Sequence, residues 1–407
     1  MTDLEPSGPS SPPNTHPPTR LGELARVFTW LGLTAFGGPA AHLAIMQREF
    51  VERRHWLSRE RFVDLLGLSS LLPGPTSTEM ALGIGFERGR WAGLLLAGLG
   101  FILPAALIVL ALAVLYSAVG DVSGVHALLY GMAPVVIAVI AHAMIKLVPT
   151  AFTDRSTWLI GLAAFVASVA GFYLSLAILQ PLAVLLGGAL LLLLVRRLPG
   201  LRGGTPAAFF LPWGGATGVI PTAAVAASLG LGAIFLTFLQ LGVVVFGSGY
   251  VLVAFLGSEL VTPGYLTEQE LLDAIAIGQL TPGPVFTTAT FIGYLLAGIP
   301  GAVVATIGIF LPAFVLVGVS HPFLPRLRAN QTISTAIDGL NAAAVGLIGA
   351  SIVFLGRDAF FADGSADLLA VALALAAYAV LLSGRLGPVP LLLGGAIVGW
   401  VARALPT

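Results

Sequence analysis

Apolar runs of about 20 residues recur along the chain, at 91 to 120, 125 to 145, 157 to 179 and 181 to 195 and again after 231, each long enough to cross a hydrocarbon core about 30 Å thick as a helix. Inside a bilayer every backbone polar group must be satisfied within the protein, which leaves helices or a closed barrel. The runs are Leu, Ala and Val on every face and lack the polar alternation of barrel strands, so the expected fold class is all-α and polytopic. Only 9 % of residues are charged, against about 25 % in soluble domains. The bilayer is therefore one partner, and no nucleic-acid partner is expected. The absence of cysteine excludes disulfides, thiolate metal sites and cysteine nucleophiles.

Two Pro-Gly-Pro units interrupt the apolar pattern. "LLPGPTSTE" at 71 to 79 and "LTPGPVFTT" at 280 to 288 lie in halves that match over much of their length. Leu31, Gly32, Phe36 and Gly37 align with Leu241, Gly242, Phe246 and Gly247, and "LLGGA" at 185 meets "LLGGA" at 392. "WLSRERFVDLLGLSSLLPGP" (56 to 75) aligns with "YLTEQELLDAIAIGQLTPGP" (265 to 284). The expected organisation is a Pro- and Ser-rich, disordered cytoplasmic tail at 1–20, membrane repeat 1 at 21–195, an apolar linker at 196–233 that is a candidate extra span, and membrane repeat 2 at 234–402. About ten to twelve membrane segments are expected in all.

Charge sets the orientation. Repeat 1 carries Arg48, Arg53, Arg54, Arg59 and Arg61 before its Pro-Gly-Pro and Arg88 and Arg90 after it, whereas the matching stretches of repeat 2 hold Glu259, Glu268 and Glu270 and no Lys or Arg. Farther on the bias reverses, with Arg326 and Arg328 in repeat 2 against Asp121 in repeat 1. By the positive-inside rule equivalent loops face opposite sides, so the repeats are expected to be inverted, with the arginines from 48 to 61 at the cytoplasmic surface. Basic residues at both ends of the broken segment at 58 to 87 predict a hairpin that enters and leaves on one side. Inversion requires an odd number of crossings between equivalent points. The four spans that follow are even, so the fifth falls either to the linker or to a first helix interrupted at "FGGP" (36 to 39).

Proline removes a backbone donor and pushes the residue before it out of helical space, so Pro73 and Gly74 end one helix and Pro75 opens another. Backbone freed at that depth is tolerated only where it is buried in protein or lines a wet cavity. The amides of Thr76, Ser77 and Thr78 then lack intrahelical partners and carry the positive end of the helix dipole, an arrangement that binds anions. Pro282, Gly283 and Pro284 repeat the break, with the amides of Val285, Phe286 and Thr287 and the hydroxyls of Thr281, Thr287 and Thr288. Discontinuous helices at matching places in inverted repeats point to a transporter's substrate site. A second pair of breaks holds Gly37 and Gly38 in "FGGP" and Gly247 and Ser248 in "FGSG"; these either complete the cavity or pack helices closely.

Several ionisable residues are candidates for coupling or gating. Glu79 lies one turn inside the first half-helix, where it either complements the dipole or takes a proton when an anion is bound. Asp64 and Asp273 share a repeat position six residues after Ser58 and Thr267, which read as helix caps, the latter with Glu270 as a capping box. Recurrence favours a structural or gating role for the two aspartates in both halves over a solvated face. Asp338, with Asn341 one turn on, is either a buried functional acid or interfacial. His42, His142 and Lys146 attract an anion, relay protons or simply pack, and Arg48 concentrates anions at the entrance.

At "FGGPAAH", "WLSRERFVDLLGLSSLLPGPTSTEMA", "FGSGYVLVAF", "LLDAIAIGQLTPGPVFTTATFIGYLLAG" and "DGLNAAAVGL" the chain resembles the chromate ion transporter family in its long, two-domain form, over nearly everything from 24 to 402. The resemblance implies export of chromate from the cytoplasm across a bacterial inner membrane, coupled to the proton-motive force, with chromate or sulfate and protons as partners. No metal or cofactor is implied, and a homodimer stays open. Three rivals remain: transport of sulfate or another tetrahedral oxyanion, a passive anion channel, and an intramembrane enzyme. The last is the weakest, because no partner is placed to activate Ser248 and no HExxH occurs.

Overall fold

The computed structural model describes residues 20–119, 123–174, 180–197, 229–246, 249–320, 330–362 and 365–404. The tail at 1–19, the linker from 198 to 228, Gly247, Ser248, Asp121, Arg326 and Arg328 lie outside the described residues. The fold is all-α apart from one short β pair. The first half contributes α1 (Leu21–Thr34), α2 (Gly38–Gln47), α3 (Arg59–Ser69), α4 (Thr76–Val119), α5 (Ser123–Ala151), α6 (Arg155–Tyr173) and α7 (Pro181–Arg197). The second half repeats the series as α8 (Leu231–Val244), α9 (Val251–Leu256), α10 (Glu268–Leu280), α11 (Thr288–Ser320), α12 (Gln331–Phe360), α13 (Leu368–Ser383) and α14 (Pro388–Ala404). Strands β1 (Phe361–Ala362) and β2 (Ser365–Ala366) pair antiparallel between α12 and α13. Five described helices are long and apolar enough to cross a membrane, so the protein is polytopic.

The two longest helices each contain a reversal. Gly89 (φ −152°, ψ 18°) and Arg90 (φ 53°, ψ −142°) break α4, and Ala297 (φ −153°, ψ 31°) and Gly298 (φ 62°, ψ −152°) break α11 in the same way. Gly85 and Gly93 back onto each other's carbonyl oxygens, as do Gly293 and Gly301. The arms 76–88 and 91–119 therefore run antiparallel.

Helix α3 and the first arm of α4 form a hairpin as charge predicted, closed by an ion pair between Arg61 near its start and Glu87 near its end. Helices α1 and α2 form another. The Arg54 guanidinium donates to Glu23 at 2.8 Å and Phe28 stacks on Phe50 at 5.2 Å, so the interrupted first helix turns back on itself. Its 14-residue first arm is roughly 21 Å long, short of a core about 30 Å thick. Trp56 lies under the guanidinium groups of both Arg54 and Arg88, which brings the open ends of the two hairpins to one surface. Both expected caps are present: Ser58 accepts from the Arg61 amide at 3.2 Å, and Thr267 and Glu270 make a reciprocal capping box.

The second arms of α4 and α11 pack side by side and antiparallel, Trp91 against Gly318 and Gly98 against Phe314. Around them α5 packs on α13 and α14 while α12 packs on α6 and α7, so each half clasps a helix of the other. Gly131 meets the Gly395 backbone and Gly339 meets that of Gly188, at matching repeat positions. Lipid tails are as apolar as leucine, so these helices associate by close packing, and small residues at the crossings permit it.

Candidate functional site

The four interruptions predicted from sequence come together. Gly74 (φ +133°) donates its amide to the carbonyl of Val245, just before "FGSG", at 2.7 Å. Gly283 (φ +88°) donates to Ala35, just before "FGGP", at 2.8 Å. The two bonds are reciprocal, since Ala35 and Val245 are equivalent, and they tie each Pro-Gly-Pro turn to the glycine break of the opposite half. Both turns are buried throughout.

Within the first half His42 joins the two hairpin tips. Its Nε2 lies 3.1 Å from the Ala35 carbonyl, which only accepts, so Nε2 carries the hydrogen. Nδ1 is then an acceptor, and the Ser77 hydroxyl donates to it across 3.2 Å. The Ala35 oxygen thus receives both His42 and Gly283, linking the half-helix at Ser77 to the opposite turn. In the second half Gly249 sits over Phe286 and Val285, where an added Cβ would stand 3.5 and 3.9 Å away.

The free-donor inventory is smaller than the sequence implied. The Thr78 amide donates to Pro75 at 2.7 Å and the Thr287 amide to Pro284 at 3.0 Å, because each half-helix opens with a tight turn closed on its proline carbonyl. The amides of Thr76 and Ser77 have no backbone partner among the described residues. Threonine hydroxyls in the second half turn inward: Thr281 donates to Gly278 at 3.0 Å, Thr287 to Pro284 at 2.8 Å and Thr288 to Val285 at 2.8 Å. A hydroxyl spends its one hydrogen this way, so none of the three faces outward as a donor.

Three buried side chains at the tips keep unpartnered polar atoms: Thr78 Oγ1, both carboxylate oxygens of Glu79, and Gln279 Nε2. Glu79 is 1 % exposed and folds back over its own turn, where a Cβ on Gly74 would stand 2.7 Å from Oε1. Gln279, two residues before Thr281, and its neighbour Tyr250 escaped the sequence reading. The visible signal was a lone amide in "AIAIGQL" and an aromatic hydroxyl directly after "FGSG".

Other candidates lie apart from the tips. Asp273 is buried and accepts from Tyr116 at 2.9 Å and from Gln269 at 2.8 Å, whereas the side chain of Asp64 is 50 % exposed, 4.0 Å from Arg61. The shared repeat position therefore does not carry a shared environment. Asp338 is paired, accepting from Arg196 at 2.7 Å, and Arg196 also reaches Asp154 at 3.0 Å. Burial acts to raise the Asp154 carboxyl, but the Thr157 amide and Arg196 outweigh it and hold it below the usual carboxylate range. Asn341 Oδ1 is buried with no partner among the described residues. His142 meets Tyr378 edge-on at 6.4 Å, Lys146 is exposed, and Arg48 is exposed at the start of a π-helical stretch, Arg48–Arg53. Of the arginines from 48 to 61, Arg53 (exposed) and Arg54 (half-buried) both pair with Glu49.

A family model described as chromate transporter matches residues 22–193 and 232–400, both halves in turn. The chain belongs to the chromate transporter family. The transporter is 36 % identical over 348 residues to a probable chromate transport protein of Synechococcus elongatus, covering 84 % of this chain and 86 % of the relative. It is 32 % identical over 397 residues to a chromate transport protein of Cupriavidus metallidurans, covering 96 % of each. A chromate transport protein of Pseudomonas aeruginosa is 33 % identical over 348 residues, 84 % of this chain and 82 % of the relative. No solved structure matches the transporter. The matched segments exclude most of the linker, so the duplicated unit is the part the family shares.

Proposed function

We propose that this transporter exports chromate from the cytoplasm across the inner membrane, driven by the proton-motive force, with the dianion held where the four hairpin tips converge. The reading rests on one observation: each Pro-Gly-Pro turn bonds to the residue that precedes the glycine break of the opposite half, beside buried polar groups that have no partner among the described residues. Half-helix amides at Thr76 and Ser77 supply the positive dipole end, and tetrahedral oxyanions are the ligands such ends suit. Chromate and sulfate share shape and charge, so sulfate is the second substrate such donors admit.

The two halves are inverted repeats in this account, supported by the antiparallel packing of their equivalent second arms. With both hairpins of each half turning back, four helices per half cross. The odd crossing that inversion requires then comes from the apolar linker. The tail is cytoplasmic.

Energetics favour outward movement. A dianion leaving a negative interior gains about 4.6 kcal/mol per 100 mV. Glu79 is the coupling carboxyl: its charge and the anion's repel, so the proton resides on Glu79 when the site is filled. A proton carried out with the dianion leaves a net charge of −1 and about 2.3 kcal/mol per 100 mV of electrical driving force, from which the cost of moving that proton against the pH gradient is subtracted.

The test is chromate accumulation in inverted vesicles, with and without an imposed potential and pH gradient, in wild type and Glu79→Gln. The expected result is potential-driven accumulation in both, with accompanying proton movement lost in the variant. Accumulation indifferent to potential would overturn the reading, and labelled sulfate as competitor ranks the two anions.

A further inference from the structure

We propose that Gln279, positioned by Tyr250 beside it, forms the second half's side-chain contribution to the oxyanion site, Gln279 donating to the ligand from the face opposite Ser77. The inference rests on the transport reading above and names residues that reading leaves unassigned. The second half needs such donors, because the hydroxyls of Thr281, Thr287 and Thr288 are all committed to their own backbone.

Gln279 carries the argument. It is 4 % exposed, and its Nε2 has no hydrogen-bond partner among the described residues. Buried amide donors in proteins are satisfied by protein, water or ligand, and one left open beside a transport site is accounted for by what enters that site. Its neighbour is Tyr250, whose side chain lies beside that of Gln279. Tyr250 in turn faces the first half: a Cβ placed on Gly38 would stand 4.0 Å from its hydroxyl.

The start of α2 then links the two halves. Gly38, with a left-handed φ of +78°, and His42 are four residues apart. Gly38 faces Tyr250 and His42 holds Ser77 at 3.2 Å. Ser77 and Tyr250 therefore both lie against the first turn of α2, one from each half. The equivalent positions in the first half are Ala40 and Ser70, so this pair belongs to the second half alone.

The test compares wild type, Gln279→Met and Tyr250→Phe in reconstituted vesicles, measuring KM and kcat for chromate and the inhibition constant of sulfate, with the melting temperature of each purified protein without anion. Gln279→Met replaces an unsatisfied amide by an apolar chain of similar length, so its anion-free melting temperature is expected to stay level or rise. Its KM is expected to increase at least tenfold, kcat to change less than twofold, and the sulfate constant to rise in parallel. Tyr250→Phe is expected to raise KM several-fold and serves alone if the Met variant fails to fold. An unchanged KM in both variants while wild type saturates with chromate would overturn the ligand role and leave the transport reading standing. Wild type that shows no saturable transport of either anion would overturn both.

Discussion

The amide of Gly74 and the carbonyl of Val245, far apart in sequence and in opposite halves of the chain, are joined by a 2.7 Å hydrogen bond, and Gly283 and Ala35 repeat it at 2.8 Å. The two bonds hold four hairpin tips to one point, so whatever disturbs them acts on both halves together.

Alanine at either turn glycine tests that coupling. Gly74 and Gly283 have φ of +133° and +88°, which cost an L-residue about 1–3 kcal/mol, and a Cβ would also press on Glu79 Oε1 or on Ala105. Gly74→Ala and Gly283→Ala are each expected to lower the melting temperature and to reduce chromate transport at least tenfold. Equal, wild-type transport in both would mean that the turns are merely packing devices.

His42→Phe removes the bridge between Ser77 and Ala35 while keeping an aromatic ring against Phe101, 5.6 Å away. The Ser77 hydroxyl loses a buried partner, which costs about 1–3 kcal/mol. Ser77→Ala leaves only the His42 nitrogen unpaired and is expected to cost less. Chemical denaturation of the purified proteins measures both; a larger loss for Ser77→Ala would contradict the bridging role.

The break points, the duplication, the caps and the hairpin at 58 to 87 were legible in sequence because each is a local event: Pro-Gly-Pro cannot continue a helix, and Ser58 and Thr267 sit where caps belong. The fold-back of α1 on α2 was not, because it depends on Phe28 meeting Phe50 and Glu23 meeting Arg54 in three dimensions. Nor was the inward turn of the threonine hydroxyls, a choice between neighbouring backbone and solvent that sequence does not fix. Tyr250 and Gln279 were passed over because an isolated polar residue in an apolar helix looks the same whether it packs or binds.

Asp64 and Asp273 illustrate the limit of arguing from a repeat, and they separate in experiment. Asp273→Ala removes a buried acceptor shared by half-buried Tyr116 and exposed Gln269 and is expected to cost about 1–3 kcal/mol. Asp64→Ala, at a half-exposed side chain, is expected to stay within about 0.5 kcal/mol. Denaturation midpoints of the two variants check the contrast.

Topology gives a further prediction. If, as proposed, four helices of each half and the linker cross, the total is odd and the chain ends lie on opposite sides of the membrane. Reporter fusions at residue 1 and residue 407 are expected to report the cytoplasm and the periplasm respectively; the same side for both would remove the inverted arrangement.

The central claim, that the anion lies among the four tips, is tested most directly by a density map of the purified transporter with chromate or selenate bound. The account predicts a strong peak within about 3 Å of the Ser77 amide and of Gln279 Nε2. A peak elsewhere in the protein, with the tips closed on one another while the same preparation transports chromate, would contradict it.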